Sequence, residues 1–110
     1  MLLSPPDNQP RRRQLQIGSL SLDSQIIQAA LSGYSDLPMR VMARRFGASY
    51  TLCEGMLDQF LTRVGSSQRN LARLAIADEE HPVGGQLMGA NPDDFAPAAR
   101  RLVEAGFDCI

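Results

Sequence analysis

HPVGGQLMGANPDDFAPAARRLVEAGFDCI, residues 81–110, holds a strand, a tight turn, a helix and the opening of a second strand. Pro82 to Met88 is a short, mostly apolar run bounded by Pro and Gly, which suits a buried strand. Gly89-Ala90 makes the turn. Asn91 can cap a helix and Pro92 fits its first position. Asp93 and Asp94 then stand at the positive end of the helix dipole. Phe95, Ala98, Ala99 and Leu102 share one helical face, and Gly106 follows as a left-handed terminator. Phe107-Asp108-Cys109-Ile110 begins a new strand. The stretch reads as a βαβ unit that stops inside its last strand.

One polar residue stands out in it. Gln86 lies near the C-terminal end of an otherwise apolar strand, where parallel α/β folds bind ligands. The pattern leaves two readings open. Gln86 is either a ligand contact or a structural amide bonded to a neighbouring loop.

The 110 residues suffice for one modest domain with a core. At 44% hydrophobic and 21% charged, the composition is that of an ordinary soluble protein. A net charge of −1 gives no overall drive toward nucleic acid or membrane. All 11 basic residues are arginine. Cys53 and Cys109 each sit in an apolar run, so buried free thiols are expected rather than a disulfide. One His and two distant Cys offer no metal-ligand spacing. No apolar run is long enough to span a membrane, and the N-terminus lacks the apolar core of a signal peptide. A cytoplasmic location is the simplest expectation.

Toward the N-terminus, residues 1–14 are rich in Pro, Asn, Ser and Arg and read as a disordered leader. Arg11-Arg12-Arg13 is a small basic run, read as a solvated tail rather than an RNA contact. Leu15 to Leu22 alternates around Gly18, as a short β-hairpin does. Residues 25–31 form an expected first core strand, and Ser32 to Ser35 the loop after it. Ser35 can cap the next helix, expected over 36–46, with Asp36 and Pro38 in its first turn. Leu37, Val41 and Ala43 form its buried face, while Arg40, Arg44 and Arg45 form a wet one. Gly47 ends it. Residues 48–53 form a second strand with Glu54 at its end. A carboxylate there is a candidate site residue, or else a capping or salt-bridged glutamate.

Helices are expected near 57–64 and 68–76, the latter with Leu71, Leu74 and Ala75 inward. Ala77 to His81 reads as a polar loop. His81 precedes Pro82, so its backbone is expected to be extended, and it reads as loop surface rather than a catalytic base. A hairpin followed by alternating strands and helices predicts a parallel sheet with right-handed crossovers. An open doubly wound sheet and part of a (β/α)8 barrel both fit. The Rossmann glycine fingerprint, the P-loop and the nucleophile elbow are all missing.

Residues 28–57, QAALSGYSDLPMRVMARRFGASYTLCEGML, followed by residues 81–110, resemble the start of the tRNA-dihydrouridine synthases. That family typically reads apolar-Ala-Pro-Met-Ala-Gly-Val-Thr-Asp-x-Pro-Phe-Arg, then an Arg-Arg-Phe-Gly-Ala-like helix end, Thr-x-x-Glu-Met, and Pro-Val-x-x-Gln-Leu-x-Gly. Gly33, Asp36, Pro38, Arg40, Phe46, Gly47, Glu54, Pro82, Gln86 and Gly89 match. The resemblance covers about residues 15–110.

It implies the N-terminal half of a (β/α)8 TIM barrel preceded by a short hairpin, within an FMN-dependent enzyme. Such an enzyme reduces uridine in tRNA to 5,6-dihydrouridine, with NADPH or NADH reducing the flavin. The family's Pro-Met-Ala flavin contact corresponds to Ala30, Leu31 and Ser32, where Ala30 and Leu31 depart from its Pro and Met. Its strand-three glutamine corresponds to Gln86, an amide able to donate and accept along the flavin's pyrimidine edge. Glu54 is a further active-site candidate.

In the family, the strand beginning at Phe107 continues into Asp-x-Asn-x-Gly-Cys-Pro, whose cysteine is the general acid. That motif would lie beyond Ile110, and neither Cys109 nor Cys53 is its equivalent. The expectation is a partial barrel domain over 15–110, stopped in its fourth strand and inactive alone. Two alternatives accompany it: a fragment of another FMN-dependent barrel oxidoreductase, and a non-enzymatic remnant acting as a binding module.

Overall fold

The computed structural model describes residues 14–63 and 68–110, with Arg69 described by its backbone alone. The expected leader over residues 1–14 lies outside them except for Gln14. The elements are β1 (Leu15–Ile17), β2 (Leu20–Leu22), β3 (Ile27–Gln28), α1 (Leu37–Arg45), β4 (Tyr50–Leu57), α2 (Asp58–Arg63), α3 (Gln68–Arg73), a 3-10 turn (Asp78–Glu80), β5 (Val83–Met88) and α4 (Pro92–Ala105). β1 and β2 pair antiparallel as a hairpin around Gly18. β3, β4 and β5 form a parallel sheet with β4 in the middle.

The local signals of the 81–110 stretch appear as read. Asn91 caps α4 by accepting the Asp93 N–H at 3.1 Å, and Pro92 opens the helix. Gly106 ends it at φ 106°, a left-handed angle that suits a residue without Cβ. The apolar face of α4 packs on the sheet through Ala98 and Leu102, both fully buried. With Cys53, Met56, Leu61, Leu74, Val83 and Phe107 they make the core. Gly85 lets Leu102 and Phe107 rest against the strand backbone, about 3.1–3.3 Å from where a Cβ would sit.

β4 carries an irregularity that the site depends on. Thr51 pairs with Val83 and Leu52 with Gly84, but Gly55 pairs with Gln86. Two residues of β4, Cys53 and Glu54, thus oppose Gly85 alone. The extra residue resets the alternation, so that Cys53 and Met56 both reach the core.

Several expectations are corrected. The first strand shrinks from 25–31 to Ile27–Gln28, because the chain then enters a turn closed on the Leu31 carbonyl by the Tyr34 and Ser35 N–H groups. The second strand runs on to Leu57, placing Glu54 inside it rather than at its end. Asp36, not Ser35, caps α1, accepting the Met39 N–H at 3.1 Å. Helix 68–76 ends at Arg73, with Leu74 buried but Leu71 45% exposed. The polar loop 77–81 contains the 3-10 turn, whose Glu80 is fully buried. Arg40 leaves the wet face: its side chain is buried because Glu80, the Ser35 carbonyl and the Ala75 carbonyl satisfy it. Residues 107–110 contribute one parallel bridge, Cys109 to Gly84, rather than a full strand.

Candidate functional site

The C-terminal halves of β3, β4 and β5 converge with the loop between β3 and α1. In that loop, residues 31–35 fold on themselves. The Ser35 hydroxyl accepts the Leu31 N–H at 2.9 Å and donates to the Leu31 carbonyl at 3.0 Å. Leu31 therefore has both backbone groups occupied. The backbone groups of Ala30 and Ser32 take no hydrogen bond among the described residues.

Glu54 joins this loop to α3. One carboxylate oxygen accepts the Gly33 N–H at 2.8 Å; the other accepts Arg73 Nε at 3.2 Å and Nη2 at 3.0 Å. The Gly33 N–H and then the Arg73 guanidinium hold the Glu54 carboxyl below the ordinary glutamate value, so it is ionised at neutral pH. The residue read from sequence as a strand-end carboxylate is thus a salt-bridged glutamate beside the candidate site.

Gln86 is exposed, and it lies on the sheet face away from α2 and α4. Its backbone N–H donates to Cys53 Sγ at 3.3 Å. Its side-chain amide has no hydrogen-bond partner among the described residues. That amide lies over Gly55, where a Cβ would stand 3.1 Å from Oε1 and 2.9 Å from Met88 Sδ. On the same face, the Tyr50 hydroxyl and Leu52 sit so close over Gly84 that any Cβ there would collide. Burial raises the Tyr50 hydroxyl above the ordinary tyrosine value, so it stays protonated. Burial also raises the Cys53 thiol, which sits at the core face of β4.

His81 and Asp108 are elsewhere. They pair at 2.8 Å beside the start of β5, where Asp108 also accepts the Val83 N–H at 2.7 Å. His81 is extended, at φ −65° and ψ 133°. Both cysteines are free. Among the described residues, no three His, Cys, Asp or Glu side chains gather to hold a metal, and no helix is long and apolar enough to cross a membrane.

Sequence reasoning singled out Gln86, Glu54 and Ala30 to Ser32; the structure joins Glu54 to the loop after β3 through the Gly33 N–H and sets Gln86 apart from them, over Gly55. It missed Arg73, Gly55 and Gly84. Glycines inside strands mark close approach, so Gly55 and Gly84 carried a usable signal. Arg73 carried none.

An α/β chain with free polar groups at the C-terminal ends of parallel strands belongs to the class that binds ligands there. The profile of the Dihydrouridine synthase (Dus) family matches residues 27–110, and the chain belongs to that family. It is 31% identical over 96 residues to a protein named tRNA-dihydrouridine synthase B from Xanthomonas axonopodis pv. citri, covering 87% of this chain and 28% of that protein. A Synechocystis protein named probable tRNA-dihydrouridine synthase 1 is 34% identical over 96 residues, covering 87% and 26%. Escherichia coli tRNA-dihydrouridine synthase B is 31% identical over the same length, covering 87% and 29%. The chain thus spans somewhat over a quarter of the length of these relatives.

Proposed function

We propose that this chain forms the first part of the flavin-binding end of a tRNA-dihydrouridine synthase barrel. The observation that carries the reading is the Gln86 amide: exposed, unpartnered, and held over Gly55 near the C-terminal end of β5. A structural glutamine would be satisfied by neighbouring backbone. An amide free to donate and accept matches the edge of an FMN ring. The free backbone groups of Ala30 and Ser32 support the same reading, since contacts made by backbone survive the departure from the family's Pro and Met. Leu31, its own polar groups occupied, contributes its half-exposed side chain. Glu54 shapes the site by holding the loop.

Bound FMN would supply the hydride that reduces uracil, with NADPH or NADH as reductant. Gln86 would hold the ring edge with its amide, and the Leu31–Ser35 turn would offer its backbone groups to it. The substrate is a uridine in tRNA, and the location is the cytoplasm.

Grafting residues 27–110 in place of the matching segment of the Escherichia coli relative tests this. The graft is expected to hold FMN and form dihydrouridine in unmodified tRNA. A folded graft without FMN would refute the reading.

A further inference from the structure

Arg73 stands at the end of α3, outside every motif noted in the sequence. Its guanidinium places both Nε and Nη2 on one Glu54 oxygen, at 3.2 and 3.0 Å. It also lies 4.8 Å above the Phe60 ring of α2. Two neighbours therefore fix its plane. Arg73 is about half exposed, at 46% of its side chain, so the pair contributes little to folding stability. What it does is orient the carboxylate. With one Glu54 oxygen held by Arg73, the other faces the Gly33 N–H at 2.8 Å.

Gly33 has φ 78°, a left-handed angle, and its N–H has Glu54 as its partner. The rest of the loop is held differently. Tyr34 and Ser35 close on the Leu31 carbonyl, and Arg40 Nη1 holds the Ser35 carbonyl at 3.0 Å. One end of the loop is thus fixed by the buried Arg40, and its exposed tip by Glu54.

We propose that Arg73 is a positioning residue: acting through Glu54, it holds the Gly33 N–H and so sets the course of the Leu31–Ser35 loop at the ligand-binding end of the sheet. Only the purpose of that loop rests on the flavin reading. The clamp is a property of the chain itself.

The test uses the 15N-labelled 110-residue chain. The Gly33 amide proton is followed by its chemical shift and hydrogen exchange, alongside thermal unfolding. In Arg73→Met and in Glu54→Gln, its resonance is expected to move upfield. Its exchange should quicken about tenfold, the signature of one local hydrogen bond lost without global unfolding. Arg73→Lys should restore part of the shift, because a lysine supplies the charge without the two-pronged geometry. The melting transition should barely move. An unchanged Gly33 amide in Arg73→Met would overturn the proposal, as would failure of that variant to fold. FMN titration of the same samples reads the other question. If the unaltered chain and the graft both ignore FMN, the flavin reading falls, while the Gly33 amide still decides the role of Arg73.

Discussion

Arg40 Nε meets Glu80 Oε1 at 2.5 Å, with the two side chains 3% and 0% exposed. Forty residues separate them in sequence, and the pair joins α1 to the turn before β5. The remaining polar groups are also met: Arg40 Nη1 and Nη2 donate to the carbonyls of Ser35 and Ala75, and Glu80 Oε2 accepts the Ala77 N–H. A buried ion pair is tolerated only when its hydrogen bonds are this complete.

Removing one partner should therefore be severe. Arg40→Met or Glu80→Leu should each cost about 3–5 kcal/mol, since each leaves a buried charge alone. The double variant should cost less than the sum of the two. Urea unfolding of the four proteins gives the coupling. Additive losses would mean that the charges do not interact.

Two glycines on the same sheet face should behave differently. Gly84→Ala drives a methyl into Tyr50 and Leu52 and should lose about 1–3 kcal/mol of stability. Gly55→Ala meets only the mobile ends of Gln86 and Met88. It should leave stability nearly unchanged while displacing the Gln86 amide. Thermal melts of both variants check the contrast, and equal losses would contradict it.

The folded chain lowers the Glu54 carboxyl below its ordinary value of 4.5. Its charged form is therefore favoured by folding. The stabilisation is full above the unfolded value and disappears as pH falls through the lower folded value. The groups acting on it are Gly33 N–H from the loop, Arg73 from α3 and, more weakly, Arg40 from α1. Subtracting the pH–stability curve of Glu54→Gln should show a difference that is flat at neutral pH and shrinks below about 4.5. A difference that grows on acidification would have the wrong sign.

The two thiols should separate by reactivity. Cys53 is fully buried, and burial raises its thiol above the ordinary value of 9.0. Cys109 is partly exposed. Iodoacetamide at mildly alkaline pH should label Cys109 well before Cys53, because the thiolate is the nucleophile. Mass spectrometry of partly labelled chain decides it.

What could be read from the sequence was local. The hairpin around Gly18, the run Val83 to Met88, the Asn91 cap and the Gly106 terminator each depend on neighbours within a few residues. The charged partners of Arg40 and Glu54, Glu80 and Arg73, lie 40 and 19 residues away. Helical spacing therefore placed Arg40 on the wet face, and nothing marked Arg73 at all. The extra residue in β4 was hidden for another reason. Cys53 and Met56, three residues apart, both face the core and break period-two alternation, so the expected strand stopped at 53, whereas the pairing of Gly55 with Gln86 carries it on to Leu57. Gln86 stood out because a polar residue in an apolar strand needs a reason, and the structure leaves it exposed over Gly55.

Activity of the isolated chain is a separate matter. The purified 110 residues, given FMN, NADPH and unmodified tRNA, should yield no dihydrouridine. Turnover comparable with a full-length relative would show that the cysteine motif is dispensable.

The most direct test of the flavin reading is Gln86→Leu in the grafted enzyme, with FMN affinity and flavin-free thermal stability measured side by side. Loss of a ligand-facing amide should weaken FMN binding by about 1–3 kcal/mol while the flavin-free protein melts almost unchanged. Unchanged FMN affinity with a large loss of flavin-free stability would make Gln86 a structural residue and contradict the account.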